Sequence, residues 1–467
     1  MAQTPDNPDA GRPVLARALA RARAEGLWVL AFAAPLISVE VWALAAGAGP
    51  AREAWRLAPA DVLIALLAAA GLVEIVLYRR PWASALPPAA AFVLVLAAAV
   101  SAFAAPAGVA AGGAAVEILQ LIEIAIIGYA WVRWSPDRRR DVERALVAFA
   151  AIVTLNVLFA IGQLAAGAHA FHVRGLFAHR NAFGCFMAVA LPVLAAAGSV
   201  PGRRPWMQMW FLIVSAAGLA TMTSGGLFVA AAAGVIVAGS ALGTRPGAAA
   251  LAAVAVIGLL VQPQHERLRD AQFESVAPYH EVARDDWSAS MRTRRWQAAL
   301  NCVRDHPTFG VGPGQFRDRI KTYYYPPYGR PTGRNDDVDA YDVRFDEPGS
   351  HSLYVVTAVE TGLAGLLALV FFLAWALAVS VRAVRSDATD AWSPTSGLMA
   401  SGLGAGALGA VAAAAVACVF SSVMVRGVAL PFVMILALAG RACDLAPGSD
   451  RVRPTGGRRD DNDGPAA

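Results

Sequence analysis

The sequence predicts an all-α polytopic membrane protein with one large polar loop, and three observations support this class. The hydrophobic share is 57% and the charged share is 16%, whereas soluble domains carry about 25% charged residues. Apolar runs of about 20 residues recur along the chain, and a helix of that length crosses the hydrocarbon core of a bilayer. The pattern stops only between 263 and 350, where thirteen Lys or Arg and fourteen Asp or Glu occur.

About twelve transmembrane helices are predicted, with breaks at clusters of Pro, Gly and Arg. The predicted spans are 27–48, 58–78, 86–105, 114–133, 145–167, 182–199, 207–223, 225–241, 247–262, 352–381, 396–420 and 425–441. Residues 1–26 form an Arg-rich tail, and the first apolar run is too long for a cleavable signal peptide. The first nine helices therefore occupy 27–262 and the last three occupy 351–441. The polar loop is 263–350, and 442–467 is predicted to be a disordered tail.

The distribution of arginine predicts the orientation of the chain in the membrane. If the spans alternate, one set of connections, including both tails, holds 21 Arg; the other set, without the large loop, holds five. Cytoplasmic connections are enriched in Lys and Arg, so both termini are predicted to be cytoplasmic and the large loop to lie outside. Five outward arginines oppose this bias: Arg52, Arg56, Arg174, Arg180 and Arg426.

Composition argues against two kinds of binding site. The net charge of +5 does not predict a nucleic-acid partner, because the basic residues are spread over connections and do not gather on one face. The four cysteines, Cys185, Cys302, Cys418 and Cys443, show no CxxC spacing. Neither a metal site nor a disulfide within the loop is therefore predicted.

The connection around Arg174 is the first candidate site. Its polar residues are His169, His172, Arg174, His179, Arg180 and Asn181. A polar turn at the membrane interface and an anion site are both compatible with this composition. Guanidinium groups bind phosphate bidentately and stay charged, so two of them on the outer face make the anion site as well supported as the polar turn. The histidines lack a nearby carboxylate and helical spacing, which disfavours a metal site.

Within the large loop, residues 288–300 predict a short amphipathic helix. Arg292 and Trp296 share one face of it, because they are four residues apart. This face could contact a substrate, or it could be a solvated charged surface with one Trp at the membrane interface. The sequence leaves both interpretations open.

The segment HPTFGVGPGQF follows, and its glycines, including Gly312 and Gly314, predict tight and irregular backbone. It is not a P-loop, because no Gly-Lys-Ser/Thr follows. Beyond it lies a Tyr-Pro run that contains Tyr324. Its aromatic faces could stack on sugar rings or rest on the membrane.

His351 ends the loop at the predicted outer boundary of the membrane. A neutral imidazole is the side chain best suited to accept a proton near neutral pH. Glu360 lies nine residues further on, which places it on the opposite face of an unbroken helix. We therefore expect Glu360 to support packing within the bundle, where an ionisable group needs a partner.

Four segments together resemble the O-antigen ligase / O-antigen polymerase family of bacterial polytopic glycosyltransferases. RGLFAHRNAFG is similar to the family's Arg-Gly-x-Phe-x-x-x-Asn element, and Arg292 with Trp296 to its Arg and Trp pair. HPTFGVGPGQF resembles Pro-x-x-Gly-x-Gly-x-Gly-x-Phe. HSLYVVTAVETGLAG matches the His-x8-Glu-x-Gly-x-x-Gly block. With the topology, the likeness covers about residues 27–441.

The resemblance implies a GT-C-like fold in the bacterial inner membrane, with the large loop in the periplasm. It implies inverting transfer of a glycan from undecaprenyl pyrophosphate to an acceptor hydroxyl, without a metal, nucleotide or other cofactor. Arg174 and Arg292 would hold and neutralise the pyrophosphate, and His351 would be the base. The residues expected to bind substrate are Arg180, Asn181, Trp296, Gly312, Gly314, Tyr324 and Arg426.

The chain departs from the family pattern at two positions. Gly225 stands where the family often has Arg, so one outward arginine is absent, and Arg180 or Arg426 is hypothesised to replace it. Ser352 follows the histidine where Asn is common, which puts in doubt how the imidazole is oriented.

The acceptor remains open among lipid A core, a growing glycan and a protein side chain, which correspond to a ligase, a polymerase and an oligosaccharyltransferase. A transporter would predict charged residues at the bilayer midplane and repeated halves with broken helices. The predicted spans hold few charges and no internal repeat. A non-catalytic scaffold would leave the outward arginines and His351 replaceable.

Overall fold

The fold is described by a computed structural model in which the regular elements are almost entirely helical. The described residues are 14, 18, 42–45, 54–57, 65–66, 69, 73, 76, 89–105, 118–123, 138–168, 173–177, 179–200, 204–276, 287–323, 352–389, 402–421 and 426–444. Within them, one pair of short strands accompanies the helices. The predicted all-α polytopic class is confirmed at this level.

The helices of the described residues lie in the following order along the chain. They are α1 (Ala89–Ala104), α2 (Arg138–Ala165), α3 (Arg180–Ser199), α4 (Pro205–Ala220), α5 (Gly225–Leu242), α6 (Thr244–Val276), α7 (Trp287–Asp305), α8 (Phe316–Tyr323), α9 (Leu353–Thr389), α10 (Leu403–Phe420) and α11 (Arg426–Asp444). Six of the described helices are long and apolar enough to cross a membrane, and α1, α4 and Val428–Gly440 are shorter apolar helices. The total of twelve and the GT-C-like arrangement stay predictions.

The strands β1 (Trp42–Ala45) and β2 (Ala54–Leu57) pair antiparallel. β1 lies inside the predicted first span, so the prediction of helix through residue 48 is wrong over Trp42–Ala45. The connection between the strands contains Gly47, Gly49 and Pro50, residue types that break a helix and favour a turn. The rest of that predicted span lies outside the described residues.

Helix α6 is longer than the apolar pattern predicts. The predicted ninth span ends at 262, but the helix continues to Val276. Only Thr244–Val261 has the composition of a membrane span. The first part of the polar segment therefore continues the helix beyond its apolar portion.

The centre of the bundle is formed by α3, α5 and α10. In α3, 89% of the span residues are buried, compared with 11% in the apolar part of α6, so α3 is central and α6 is peripheral. Gly234 of α5 faces Gly409 of α10, and a Cβ added to Gly234 would lie 2.7 Å from the Gly409 carbonyl oxygen. Small residues allow helix backbones to approach closely in membrane bundles.

Contacts between helix termini show which ends of the bundle lie together. A Cβ on Gly184 of α3 would meet Leu227 of α5 at 2.6 Å. The Ser352 hydroxyl, just before α9, donates a 3.1 Å hydrogen bond to the Cys418 carbonyl near the end of α10. We call the end that contains these four residues the loop end, because α7 and α8 also lie there.

Candidate functional site

The Arg174 turn, residues 173–177, lies at the loop end between α2 and α3. The Phe177 N–H donates to the Arg174 carbonyl at 3.0 Å, and Gly175 has a φ of 56°, a left-handed conformation that favours glycine. A Cβ on Gly175 would lie 2.9 Å from the Phe183 ring of α3. The turn therefore packs against the first turns of α3, with the Arg174 side chain exposed.

Two side-chain amides of α2 hold this turn. The Gln163 Oε1 accepts the N–H groups of Arg174, at 2.9 Å, and Gly175, at 3.0 Å, while its Nε2 donates to the Gly175 carbonyl at 3.0 Å. The Asn156 Oδ1 accepts the Leu176 N–H at 3.1 Å. The backbone of the turn is thus bound to α2 at three consecutive residues.

The sequence contains a signal for these amides, although they belong to none of the four segments that carry the resemblance. Asn156 and Gln163 are seven residues apart in an otherwise apolar span, and this spacing places them on one helix face. A polar side chain within a membrane helix needs a partner. Two such side chains on one face predict a polar segment bound alongside.

Arg180 and Asn181, both half-buried, begin α3 beside the turn. The residue before them, His179, makes no side-chain cap hydrogen bond to the helix. The first N–H groups of a helix carry partial positive charge. This part of the loop end therefore combines the start of a helix with two arginines, Arg174 and Arg180.

The glycine-rich segment binds to a break in α9. Helix α9 departs from helical geometry at Gly362, with φ 68° and ψ −167°, so carbonyls before the break lose their helical partners. The Val311 N–H donates to the Val359 carbonyl at 3.0 Å, and the Gly312 N–H donates to the Glu360 carbonyl at 2.9 Å. The loop thus supplies the donors that the broken helix lacks.

The same break leaves N–H groups on its other side, and the loop satisfies these too. The Leu363 N–H donates to the Pro307 carbonyl at 2.8 Å, and the Ala364 N–H donates to the Thr308 carbonyl at 3.3 Å. A Cβ on Gly362 would collide with the Thr308 backbone. We call this exchange of backbone hydrogen bonds between 307–312 and 359–364 the loop–helix lock.

Glu360 adds a side-chain contact to the lock. It is 8% exposed, and its carboxylate accepts the Phe316 N–H at the start of α8 at 3.0 Å, where a negative charge is favourable. The Ser101 hydroxyl of α1 lies 2.7 Å from the Glu360 carbonyl and 2.6 Å from the Phe309 carbonyl. Glu360 therefore contacts the loop as well as the bundle, whereas packing within the bundle alone was expected.

Helices α7 and α8 share a small core with α9. Its buried members are Ala298, Ala299, Cys302, Val311, Phe316, Ile320 and Val359. Burial, with the nearby charge of Asp305, raises the pKa of the Cys302 thiol to about 11, although Arg319 opposes the shift. The loop is therefore a packed unit attached to the bundle through Val359.

The predicted amphipathic helix at 288–300 is present as α7, which extends to Asp305. Arg292 and Trp296 lie one turn apart on it, and Trp296 is 37% exposed. The predicted irregular backbone is also present, because Gly312 and Gly314 have φ values of 106° and 73°. The side-chain position of Arg292 lies outside what the structure describes.

Several predicted site residues fall outside the described residues. His351 and Tyr324 are among them, as is the side chain of Arg426, whose backbone begins α11. Ser352, immediately after His351, is 3% exposed and bound to the Cys418 carbonyl. Gly225, where an arginine was expected from the resemblance, is exposed at the start of α5, with open space at its Cβ.

Residues 209–370 match the model of a family described as O-antigen ligase. The match includes α4 through the first half of α9, and so the whole loop–helix lock, but not the Arg174 turn. No curated protein matches the chain. Among the described residues, no three His, Cys, Asp or Glu side chains come together to hold a metal ion.

Proposed function

We propose that this protein transfers a glycan from undecaprenyl pyrophosphate to an acceptor hydroxyl, because residues 209–370 match the model of a family described as O-antigen ligase. The reaction takes place at the periplasmic face of the bacterial inner membrane, with both termini cytoplasmic. The observation that carries the proposal is the convergence at the loop end. The Arg174 turn, the start of α9 after His351 and the docked loop all lie there.

The chemistry is a single displacement at the anomeric carbon. The acceptor oxygen forms a bond to this carbon while the bond to the pyrophosphate oxygen breaks, so the configuration inverts. Arg174 and Arg292 bind the pyrophosphate and stabilise the charge it gains on leaving; fixed guanidinium groups can do this without a metal ion. His351 takes the proton of the acceptor hydroxyl.

The contacts of Ser352 support the assignment of His351. The buried hydroxyl of Ser352 is bound to α10, and the Ser352 carbonyl accepts the Val356 N–H at 3.1 Å as the first turn of α9 forms. The residue that follows the proposed base is therefore anchored at the loop end.

Gly225 occupies the position where the family often has an arginine. We propose that Arg180 or Arg426 supplies the missing charge. Both begin helices whose N-termini lie at the loop end. Arg180→Ala or Arg426→Ala should then lower transfer, and unchanged transfer in both variants would rule this substitution out.

The proposal predicts that His351→Ala and Arg174→Ala each abolish glycan transfer, whereas wild-type turnover persists in EDTA. The measurement is release of undecaprenyl pyrophosphate by purified protein in lipid, from a lipid-linked glycan donor. Arg245→Ala is the matched control, since Arg245 is an exposed arginine at the start of α6, at the opposite end of the bundle. Full activity in His351→Ala would disprove the base assignment.

The acceptor is tested separately, because the named residues act on the donor and on the proton. Lipid A core, a lipid-linked glycan and a protein acceptor are offered in parallel with one donor. A ligase modifies the first, a polymerase extends the second and an oligosaccharyltransferase modifies the third. We propose the ligase reaction first, since the family match carries that description. Donor movement across the bilayer without cleavage would instead indicate a transporter.

A further inference from the structure

The geometry points to Gln163 as a positioning residue for Arg174: through three backbone hydrogen bonds, its amide sets the direction in which the arginine leaves the turn. This inference rests on the proposed function, in which Arg174 binds the pyrophosphate. It concerns a residue of α2 that lies outside the matched family domain and outside every motif of the resemblance.

The three bonds fix the peptide groups on both sides of Arg174. The Arg174 N–H belongs to the preceding peptide group and the Gly175 N–H to the following one, and both donate to the same Gln163 oxygen, at 2.9 and 3.0 Å. With both planes held, the φ and ψ angles of Arg174 have little freedom. The direction of its Cα–Cβ bond is then set by Gln163.

The next peptide group, between Gly175 and Leu176, is held as well. Gln163 donates through Nε2 to the Gly175 carbonyl at 3.0 Å, and Asn156 accepts the Leu176 N–H at 3.1 Å. Asn156 is fully buried, and its Nδ2 donates to the Ile152 carbonyl at 3.0 Å. Its oxygen is thereby oriented toward the turn. Both amides thus bind the turn to one face of α2, about 10 Å apart along the helix axis.

The direction of the Arg174 Cα–Cβ bond matters because the side chain is long and charged. Arg174 is exposed while Val173 is buried, so the chain must direct two successive side chains to different environments. A guanidinium group at the end of four rotatable bonds reaches a fixed pyrophosphate only if its Cα–Cβ bond is aimed correctly. Misplacement of a binding group by about 1 Å can cost about 100-fold in rate.

The test uses Gln163→Met, which keeps the length of the side chain and removes every hydrogen bond. We expect kcat/KM for the lipid-linked donor to fall about 10- to 100-fold. Gln208→Met is the matched control, because Gln208 makes the same kind of bond, from Nε2 to the Val200 carbonyl, beyond the far end of α3. This control should keep wild-type activity, and both variants should keep the wild-type melting temperature within a few degrees.

A double-substitution cycle separates positioning from a general structural role. Gln163→Met is combined with Arg174→Ala, and the Kd for undecaprenyl pyrophosphate is measured by titration, so that the readout does not need turnover. If Gln163 acts through Arg174, Gln163→Met weakens binding in the wild type and has no further effect once Arg174 is Ala. Equal weakening in both backgrounds would overturn the inference in favour of a structural role.

The remaining outcomes distinguish this inference from the proposed function. Wild-type activity and Kd in Gln163→Met, with binding weakened in Arg174→Ala, would overturn the positioning role and leave the proposed function standing. Wild-type protein that fails to bind undecaprenyl pyrophosphate would overturn the proposed function itself, and the positioning role with it.

Discussion

Gly167, just after α2, and Gly175, in the Arg174 turn, adopt similar left-handed conformations in different surroundings. Gly167 has a φ of 75° and Gly175 has a φ of 56°. A Cβ on Gly167 would meet nothing within 4 Å, whereas one on Gly175 would lie 2.9 Å from both the Asn156 Oδ1 and the Phe183 ring. The cost of backbone strain can therefore be separated from the cost of displacing the turn.

Replacing each glycine with alanine tests this difference. Both variants should lose about 1 kcal/mol of stability from the strained φ. Only Gly175→Ala should also lose most of its glycan transfer, because its Cβ pushes the turn away from Asn156. The measurements are thermal unfolding and transfer from the lipid-linked donor. Equal activity in the two variants would show that transfer does not depend on the position of the turn.

At the scale of elements, the loop–helix lock makes α9 and the loop depend on each other. The break at Gly362 leaves carbonyl and N–H groups that need partners, and the loop supplies them. In return, α8 receives the Glu360 carboxylate at its first N–H. If the loop or α9 loses its hydrogen bonds to the other, buried polar groups are left unsatisfied, which costs about 1 to 3 kcal/mol for each group.

Glu360→Leu should therefore release α8 from α9, whereas Glu360→Gln should hold it, since an amide oxygen can still accept the Phe316 N–H. Cys302 reports the release in a variant whose other cysteines, Cys185, Cys418 and Cys443, are Ala. With its pKa raised to about 11, the buried thiol should be alkylated slowly at pH 8. In Glu360→Leu, exposure should bring the pKa of the thiol back toward its ordinary value of 9.0 and speed alkylation.

The Cys302 thiol also makes the stability of the folded loop depend on pH. Its pKa is higher in the folded loop than in the unfolded chain, so the folded loop binds the proton more tightly. The stability from this group is complete below pH 9 and is lost as the pH rises toward about 11. For the Glu360 prediction, slow alkylation of Cys302 at pH 8 in both Glu360→Leu and Glu360→Gln would contradict the role of the carboxylate.

The sequence predicted the local geometry of these elements better than their contacts. Period and composition located α3, α4 and α5, and the glycines correctly indicated irregular backbone at 310–314. The exchange of hydrogen bonds between 307–312 and 359–364 was not predictable, because its partners are some fifty residues apart and bond through backbone atoms. The β1 strand was missed because Trp42–Ala45 is as apolar as the helix predicted there.

At the scale of the whole molecule, the bundle depends on close approach at its centre. A Cβ on Gly409 would lie 2.8 Å from carbons of Ala238 and Pro192 and would collide with the Gly234 carbonyl. Such contacts link α3, α5 and α10, so the helices that carry Arg180 and approach Ser352 keep a fixed separation. Overpacking at Gly409 should therefore displace residues at the loop end.

Gly409→Leu should sharply lower the yield of folded protein, since overpacking of a close-packed interior costs about 1 to 3 kcal/mol or more. Gly258→Leu is the control, because Gly258 lies on the peripheral helix α6 and the nearest atom to its Cβ is 3.8 Å away. Size-exclusion profiles and melting temperatures in detergent make the comparison. Wild-type behaviour of Gly409→Leu would show that the centre is loosely packed.

The loop–helix lock also has a consequence for chain length. The segment between Tyr323 and Ser352 leaves α8, whose start is bound to Glu360, and returns to the first residue before α9. Both attachment points belong to one stretch of helix, about 12 Å apart along its axis. Doubling the length of such a closed segment costs only about 0.6 kcal/mol. Insertions into this segment should therefore cost little stability while Ser352 and Glu360 keep their places.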